Sequence, residues 1–301
     1  MSERVHVSLI MTVFNEEAGV SPFFESLLLF TRQPDEVVIV DGGSSDGTAA
    51  RIREWGAKSP IPIVLVEEQR CNISRGRNLA IKRARYPVIA ITDMGCRIPP
   101  DWLERLIAPF EADPSVEVVG GYYGHYCETR LQQCFADLRY KAVLNKKNFY
   151  PSSRSLALRR HVWEEAGGYP EHMIVGEDMY FDLRIREGNF NEVIAPDAKV
   201  YWETAKSYRG IFTKYYRYAR SAGAVFQQPK VYGFYMANYA LFLVWLLLAL
   251  KISWWFIMPL AAHGAVYKWF RIFRKKPVRQ NLTFVNTLHY GAITFTLDMA
   301  T

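Results

Sequence analysis

The chain has 301 residues, half of them hydrophobic, so it exceeds one typical domain and can bury a sizeable core. Its formal net charge of +7 comes from two basic stretches, within residues 203–230 and 271–279, that adjoin apolar segments. This distribution argues against a general nucleic-acid-binding surface and favours contact with phospholipid headgroups and lipid phosphates. The N-terminus enters a strand pattern directly and lacks the features of a secretory signal, so we expect the catalytic part in the cytosol.

Short β-rich runs alternate with helical patterns over residues 1–202, which we predict to form the catalytic domain. The predicted strands are residues 5–13, 37–40, 64–66 and 88–92, and the predicted helices between them are residues 20–32, 47–57 and 73–85. Several of these strands are continuously apolar, as expected where both faces of a sheet are covered. The alternation predicts an α/β fold with a mostly parallel sheet flanked by helices and a ligand site at the carboxyl ends of its strands.

The composition changes over residues 203–230, which we predict to form an amphipathic interfacial helix and a linker. The helical pattern covers residues 206–226 and mixes aromatic with basic side chains. Such a mixture suits a helix that lies in a membrane interface. An ordinary surface helix packed on the catalytic domain is the alternative.

Residues 231–301 form the predicted membrane region. Residues 233–250 carry no charge and are long enough to cross a bilayer, and residues 252–270 form a second, weaker candidate span. Basic clusters flank the pair, which predicts a transmembrane hairpin with both outer ends in the cytosol. Residues 282–300 are either a third span or an interfacial helix. We therefore expect a multi-pass protein of the inner or cytoplasmic membrane.

Polar motifs follow the predicted strands. TVFNEE follows the first strand, VVIVDGGSSDG ends the second with Asp41 at its tip, and CNISRGRN opens the third helix with Arg75 and Arg77. The fourth strand ends at Asp93, and GGYPEHMIVGED then opens a helix further along the chain. Neither GxGxxG nor GxxxxGK is present, so the dinucleotide-binding and P-loop fingerprints are missing.

In this order and spacing, the motifs resemble those of the family-2 glycosyltransferases, which are inverting enzymes with a nucleotide-sugar-binding α/β fold of the glycosyltransferase A type. The resemblance covers roughly residues 5–220. It implies that Asp41 holds the nucleotide base, that the loop after the first strand lines the base and ribose pocket, and that Asp178 is the catalytic base. The implied donor-binding residues are Phe14, Asn15, Glu16, Asp41, Arg75, Arg77 and Asp93.

The chemistry of an inverting transfer agrees with this assignment. A carboxylate must take the proton from the acceptor hydroxyl as it attacks the anomeric carbon, and Asp178 suits that role. Positive charge must stabilise the departing nucleoside diphosphate. Glu177 and Arg154 are the predicted neighbours of the diphosphate or the acceptor. Without the other motifs, the simpler interpretation of Asp178 is a structural carboxylate at a helix N-terminus, where the helix dipole favours negative charge.

The sequence departs from the family pattern at two positions where a metal ligand is expected. The family commonly has DxD where this chain reads DMG, so Gly95 replaces the second carboxylate, and Trp202 stands where members often carry a histidine. Neither replacement holds a hard cation through a side chain. Either Mg²⁺ or Mn²⁺ binds through Asp93, or Arg217 and Arg220 stabilise the diphosphate instead; headgroup contact is the alternative role of these arginines.

Sugar transfer from a UDP- or GDP-linked donor to a lipid-linked acceptor, in polysaccharide or glycolipid assembly, is the predicted function. A polyprenyl-phosphate sugar synthase is a subsidiary possibility within the same class. A membrane-tethered nucleotide-sugar-binding scaffold without catalysis is the alternative from another class, and a soluble nucleic-acid-binding protein is disfavoured by where the charge lies. The sequence gives no indication of the oligomeric state.

Overall fold

The computed structural model describes residues 4–139, 149–173, 175–224 and 229–300. The chain divides into two compact units. The first contains residues 1–126 and 143–203, and the second contains residues 127–142 and 204–301. Residues 225–228, at the end of the predicted linker, lie outside the described residues.

The first unit holds one eight-stranded sheet. Its strands are β1 (Val7–Val13), β2 (Glu36–Asp41), β3 (Ile63–Glu67), β4 (Val88–Ile91), β5 (Cys96–Arg97), β6 (Val118–Tyr126), β7 (Leu156–Arg159) and β8 (Glu192–Glu203). Its helices are α1 (Glu17–Leu28), α2 (Thr48–Lys58), α3 (Ile73–Arg83), α4 (Trp102–Ala112), α6 (Arg160–Glu165) and α7 (Glu177–Glu187). The helices of the second unit are α5 (Arg130–Arg139), α8 (Tyr208–Ala224), α9 (Pro229–Lys251), α10 (Ile257–Phe273), α11 (Lys276–Gln280) and α12 (Phe284–Ala300).

The strand order in the sheet is β3-β2-β1-β4-β7-β6-β8-β5. Strands β1 to β4 pair in parallel, as the alternation of strands and helices predicts. The other half is mixed, because β7 runs antiparallel between β4 and β6, and β5 runs antiparallel to β8. The prediction of a mostly parallel sheet therefore holds for the first half only. The prediction rests on the strict alternation of strands and helices, and this alternation ends at β4, which β5 follows directly. Beyond β4 the alternation therefore gives no indication of parallel pairing.

The sheet is covered on both faces, which explains its continuously apolar strands. Leu9 and Ile39 belong to the core on one face, and Ile10 and Val38 belong to the core on the other. Since side chains alternate across a strand, such a strand is buried on both faces, and all six residues of β2 are buried. Polar residues such as Asp41 and Asp93 stand where these strands end.

The second unit has its own core, which α5, α8, α10, α11 and α12 build together. At its centre, Asp137 of α5 accepts hydrogen bonds from the Tyr290 hydroxyl at 2.7 Å and from Nδ2 of Asn281 at 3.0 Å. A buried carboxylate needs such donors. Although α5 falls within the predicted catalytic domain, it belongs to this second unit.

Helix α9 contains the apolar run that the sequence predicts as a span. Its residues Gly233–Lys251 have a mean hydropathy of 1.8 and none of them is buried. Within the described ranges, this is the one helix long and apolar enough to cross a membrane. The second candidate span is divided between a 3₁₀ helix, Trp254–Phe256, and the 17-residue α10, which contacts α9 through the rings of His263 and Phe242, 4.8 Å apart. A transmembrane hairpin therefore stays a prediction.

Candidate active site

A cavity of about 260 Å³ opens where β1, β2 and β4 end. The carboxyl ends of parallel strands are where ligands bind in open α/β sheets. Its lining comes from the segments that follow these strands, from the start of α3 and from the end of β8. The lining residues are Thr12, Val13, Phe14, Glu16, Val40, Gly42, Cys71, Asn72, Ile73, Gly76, Asp93, Met94, Gly95 and Trp202.

The loop after β1 supplies an exposed aromatic ring and a carboxylate to this cavity. Phe14 is 61% exposed, which is unusual for a phenylalanine beside a folded core. Asn15 adopts a left-handed backbone conformation with φ of 53°, and its Oδ1 accepts a hydrogen bond from the Ser45 amide at 2.8 Å. The Asn15 amide in turn donates to the Ser44 hydroxyl at 2.8 Å. Asn15 thus fixes the loop after β1 against the loop after β2.

Asp41 lies at the tip of β2 and is only 2% exposed. Its Oδ1 accepts hydrogen bonds from the amides of Gly43 at 3.0 Å and Ser44 at 2.7 Å. Gly43 has φ of +93°, a conformation that favours glycine. Asp41 therefore holds the turn that follows β2, and its contact with a nucleotide base stays a prediction.

Helix α3 approaches β1 very closely, because Gly76 has no side chain. A Cβ at Gly76 would lie 2.5 Å from Cγ2 of Thr12. Asn72 caps the N-terminus of the helix, because its side chain accepts a hydrogen bond from the Arg75 amide. This close packing brings the next residue, Arg77, to the end of β4.

Arg77 connects three acidic residues. Its Nη1 lies 2.7 Å from Oδ1 of Asp178 and 3.0 Å from Oε1 of Glu177, and its Nη2 lies 3.2 Å from Oδ1 of Asp93. The guanidinium is 2% exposed. Burial lowers the pKa of Arg77, but the charges of Asp178 and Asp93 outweigh burial and raise it further above its ordinary value. The cation is thus permanent and binds α3, β4 and α7 together.

Asn78, the next residue, fixes the segment that leads into α7. Its Oδ1 accepts hydrogen bonds from the Tyr169 amide and from Nε1 of Trp163, both at 2.9 Å. Its Nδ2 donates to the Tyr169 carbonyl and to Oε1 of Glu171, again at 2.9 Å. The sequence alone does not predict the role of Glu171, because nothing in the motif GGYPE indicates that its glutamate contacts Asn78, 93 residues earlier in the chain.

Asp178 and Glu177 form the first turn of α7, after Gly176 in a left-handed conformation with φ of 84°. The Asp178 side chain is 24% exposed, and its Oδ2 lies 3.3 Å from the Ser152 hydroxyl. Burial raises the pKa of Asp178, but Arg77 and Arg154 outweigh it and hold the pKa below its usual range. Burial and the charge of Asp178 raise the pKa of Glu177 to about 7. The pair therefore combines one fixed carboxylate with one group that titrates near neutrality.

Arg154 lies next to Asp93, with its Nε 3.4 Å from Oδ2 of that residue. Its guanidinium lies over the rings of Trp202, 4.8 Å from the centroid, and Tyr123, 5.6 Å from the centroid. Arginine stacks readily on aromatic faces. Trp202 thus orients an arginine at the position where the family pattern has a histidine.

The remaining predicted site residues are Arg75, Arg217 and Arg220. Arg75 is half exposed and forms an ion pair with Glu68. Arg217 and Arg220 are exposed residues of α8 in the second unit, and their role at a diphosphate stays a prediction.

Comparison with known protein families identifies the chain. The model of glycosyl transferase family 2 matches residues 8–163, just over half of the chain. The chain belongs to glycosyl transferase family 2. A second model, glycosyl transferase family group 2, matches residues 88–297 and thus extends over α8 to α12.

Relatives of this family-2 glycosyltransferase include two curated proteins. Glycosyltransferase AglE of Haloferax volcanii is 25% identical over 198 residues, which are 64% of this chain and 64% of AglE. The O-antigen chain rhamnosyltransferase WbaN of Salmonella anatum is 24% identical over 223 residues, 69% of this chain and 70% of WbaN. The match to AglE thus spans slightly less than two thirds of its length.

A solved structure has the same fold. The mannosyltransferase PcManGT from Pyrobaculum calidifontis, in complex with GDP-Man and Mn²⁺, superimposes with a TM-score of 0.65 over 98% of this chain and 88% of its own. The two sequences are 19% identical, so this likeness concerns the fold alone. The first unit is accordingly a glycosyltransferase A-type domain with a mixed sheet.

The cavity of this family-2 glycosyltransferase fits a divalent cation at Asp93. Asp93 lines the cavity and supplies the oxygen ligand that Mg²⁺ and Mn²⁺ prefer. The missing side chain at Gly95 leaves space beside it, since a Cβ there would meet no atom closer than 3.9 Å. Among the residues that the structure describes, no three His, Cys, Asp or Glu side chains are grouped to hold a metal alone. Ligands from the diphosphate and from water would have to complete such a site.

Proposed function

We propose that this protein transfers a sugar from a UDP- or GDP-linked donor to a membrane-associated, lipid-linked acceptor with inversion at the anomeric carbon. The observation that carries the proposal is the carboxylate of Asp178, which is partly exposed and held ionised by Arg77 at 2.7 Å. An ionised carboxylate is what an acceptor hydroxyl needs as its general base. Arg77 is too buried to reach a substrate and serves to position this base.

The donor is proposed to occupy the cavity at the ends of β1, β2 and β4. The exposed ring of Phe14 is suited to stack on a nucleotide base, and Arg154 is suited to contact the diphosphate. A bound divalent cation supplies positive charge to the diphosphate leaving group. GDP-Man in the structural neighbour supports a nucleotide-sugar donor.

The acceptor and the location are proposed from the second unit and from the relatives. An O-antigen chain transferase among the relatives supports a role in polysaccharide or glycolipid assembly. Helix α9 is proposed to cross the inner or cytoplasmic membrane, and α10 to return as the second arm of a hairpin. The apolar side chains of both helices are exposed, as lipid contact requires. Basic residues on both flanks favour a cytosolic catalytic domain.

Turnover of labelled nucleotide sugars by the detergent-solubilised full-length protein tests the proposal. The assay contains membrane lipid extract as acceptor and Mg²⁺, Mn²⁺ or EDTA. We expect label to move into the lipid fraction with release of one nucleoside diphosphate per sugar. Product size separates transfer of a single sugar, as in a polyprenyl-phosphate sugar synthase, from polymer formation.

Gly95 and Trp202 favour a second candidate, a membrane-tethered scaffold that binds nucleotide sugars without catalysis. Both residues replace side chains that hold the cation in many family members. Nucleotide binding without turnover of any common donor would support this candidate over the transferase.

A further inference from the structure

The loop after β1 directs a carboxylate towards the position that Gly95 leaves open. Oε1 of Glu16 lies 3.9 Å from where a Cβ at Gly95 would be, and Oε2 lies 3.4 Å from where a Cβ at Gly19 would be. The carboxylate therefore lies close to Gly19 and Gly95, and neither of these residues has a side chain that could cover it. Glu16 also lines the same cavity as Asp93.

The backbone of Glu16 is fixed by two hydrogen bonds, whereas its carboxylate accepts none from the part of the chain that the structure describes. The Glu16 amide donates to the Thr48 hydroxyl at 2.9 Å, and its carbonyl accepts from the Gly19 amide at 2.8 Å. Among the residues that the structure describes, none donates a hydrogen bond to the Glu16 carboxylate. The adjacent Glu17 differs, because its carboxylate accepts from Nε of Arg51 at 2.9 Å and from the Gly47 amide at 3.1 Å.

The charges around the cavity are unfavourable for a diphosphate on its own. Among the residues that the structure describes, the charged side chains that line the cavity are the carboxylates of Glu16 and Asp93. Behind them, Asp93 is paired with the guanidinium groups of Arg77 and Arg154. A nucleoside diphosphate adds further negative charge beside these two carboxylates, so a compensating cation favours its binding.

We propose that Glu16 and Asp93 together hold the divalent cation, with Glu16 replacing the carboxylate that the family pattern places at position 95. The proposal rests on the proposed function, since the cation serves the diphosphate of the donor. The two side chains come from the ends of neighbouring parallel strands, β1 and β4, and both present oxygen, the ligand atom that Mg²⁺ and Mn²⁺ prefer.

The test measures Mn²⁺ binding to the detergent-purified full-length protein by electron paramagnetic resonance, with GDP or UDP present. Nucleotide binding is measured separately by calorimetry, with Mn²⁺ and with EDTA. Glu16→Gln should weaken Mn²⁺ binding by at least about tenfold. Glu17→Gln removes the same charge one residue away and should leave Mn²⁺ binding unchanged.

A compensating variant makes the test independent of general damage at Glu16. Gly95→Asp restores the family carboxylate, and the space at Gly95 accommodates it. In the Glu16→Gln background it should recover Mn²⁺ binding to within about threefold of the unmodified protein. Thermal unfolding of each variant checks that the fold is retained.

The outcomes separate the inference from the proposed function. Loss of Mn²⁺ binding in Glu16→Gln with recovery by Gly95→Asp supports the inference. Equal Mn²⁺ affinity in Glu16→Gln and the unmodified protein, with nucleotide binding intact, overturns the inference and leaves the proposed function standing. If neither GDP nor UDP binds under any condition, the proposed function fails and the inference fails with it.

Discussion

Nη1 of Arg77 lies 2.7 Å from Oδ1 of Asp178, although 101 residues separate them in the chain. The same nitrogen also contacts Glu177, so one buried cation contacts both acidic residues in the first turn of α7. The contact ties α7, which carries the proposed base, to α3, whose first turn lines the cavity. Stability and the ionisation of the base therefore depend on the same residue.

Arg77→Gln should destabilise the protein strongly. It leaves buried carboxylates without their counter-charge, and breaking a buried ion pair from one side costs about 3–5 kcal/mol. Thermal unfolding in detergent should show a lower Tm. Arg75→Gln is the matched control, since Arg75 is half exposed in a pair with Glu68, and its Tm should change little. Equal effects of the two substitutions would contradict the network described here.

Glu177 should make stability depend on pH near neutrality. Burial and the charge of Asp178 raise its pKa to about 7 from an ordinary value of 4.5. The folded state therefore prefers the protonated group, and the stability that this provides is present at low pH and lost as pH rises through about 7. Asp178 stays ionised over this range, because its pKa is held below the ordinary value.

Glu177→Gln imitates the protonated group and should remove this dependence. Its Tm relative to the unmodified protein should rise between pH 5.5 and pH 8, with a free-energy change of about 2 kcal/mol over that interval. Glu165→Gln, at an exposed position, should show a constant difference from the unmodified protein across the same range. A difference for Glu177→Gln that stays flat or falls with pH would refute the assignment.

Phe14→Ala should weaken nucleotide binding without unfolding the protein. A base stacked on an aromatic ring contributes about 1–3 kcal/mol, so the affinity for GDP or UDP should fall about tenfold or more. Because the ring is 61% exposed, Tm should change little. Phe14→Tyr keeps the stacking surface and should bind nucleotide normally in the same calorimetric titration. Unchanged affinity in Phe14→Ala would remove this loop from the base site.

Charge in the middle of α9 should impair membrane insertion. An arginine at the centre of a spanning helix costs about 2.5–3.5 kcal/mol on insertion scales. The double substitution Leu243→Arg and Leu247→Arg should therefore prevent insertion of α9. Alkaline carbonate extraction of cell membranes measures the inserted fraction. The unmodified protein and a double isoleucine control should stay in the pellet, whereas the double arginine variant should be extracted. Extraction of the unmodified protein would contradict the proposed span.

The first half of the sheet and the cavity at its edge were predictable from the sequence. Local patterns determine them: apolar runs give β1, β2 and β4, and the residues directly after β1 and β4, such as Phe14 and Asp93, line the cavity. Family resemblance adds α7, where Asp178 and Glu177 stand side by side. These features depend on residues close together in the chain.

Features that depend on distant partners were not predictable. Helix α5 belongs to the second unit, because Asp137 pairs with Tyr290 and Asn281 far along the chain. The place of β7 between β4 and β6 likewise depends on pairing between distant segments. Ser152 beside Asp178 carries no sequence signal, since serines are common in loops and its partner is 26 residues away.

Single-turnover sugar transfer by Asp178→Asn is the most direct test of the proposed base. The substitution keeps the size of the side chain and removes its charge, so donor binding should stay within about threefold of normal. The transfer rate should fall by about 10²–10⁴-fold, the contribution of a positioned general base. Asp197→Asn, at an exposed position on β8, is the matched control and should transfer normally. Transfer by Asp178→Asn at the unmodified rate would show that Asp178 is not the base.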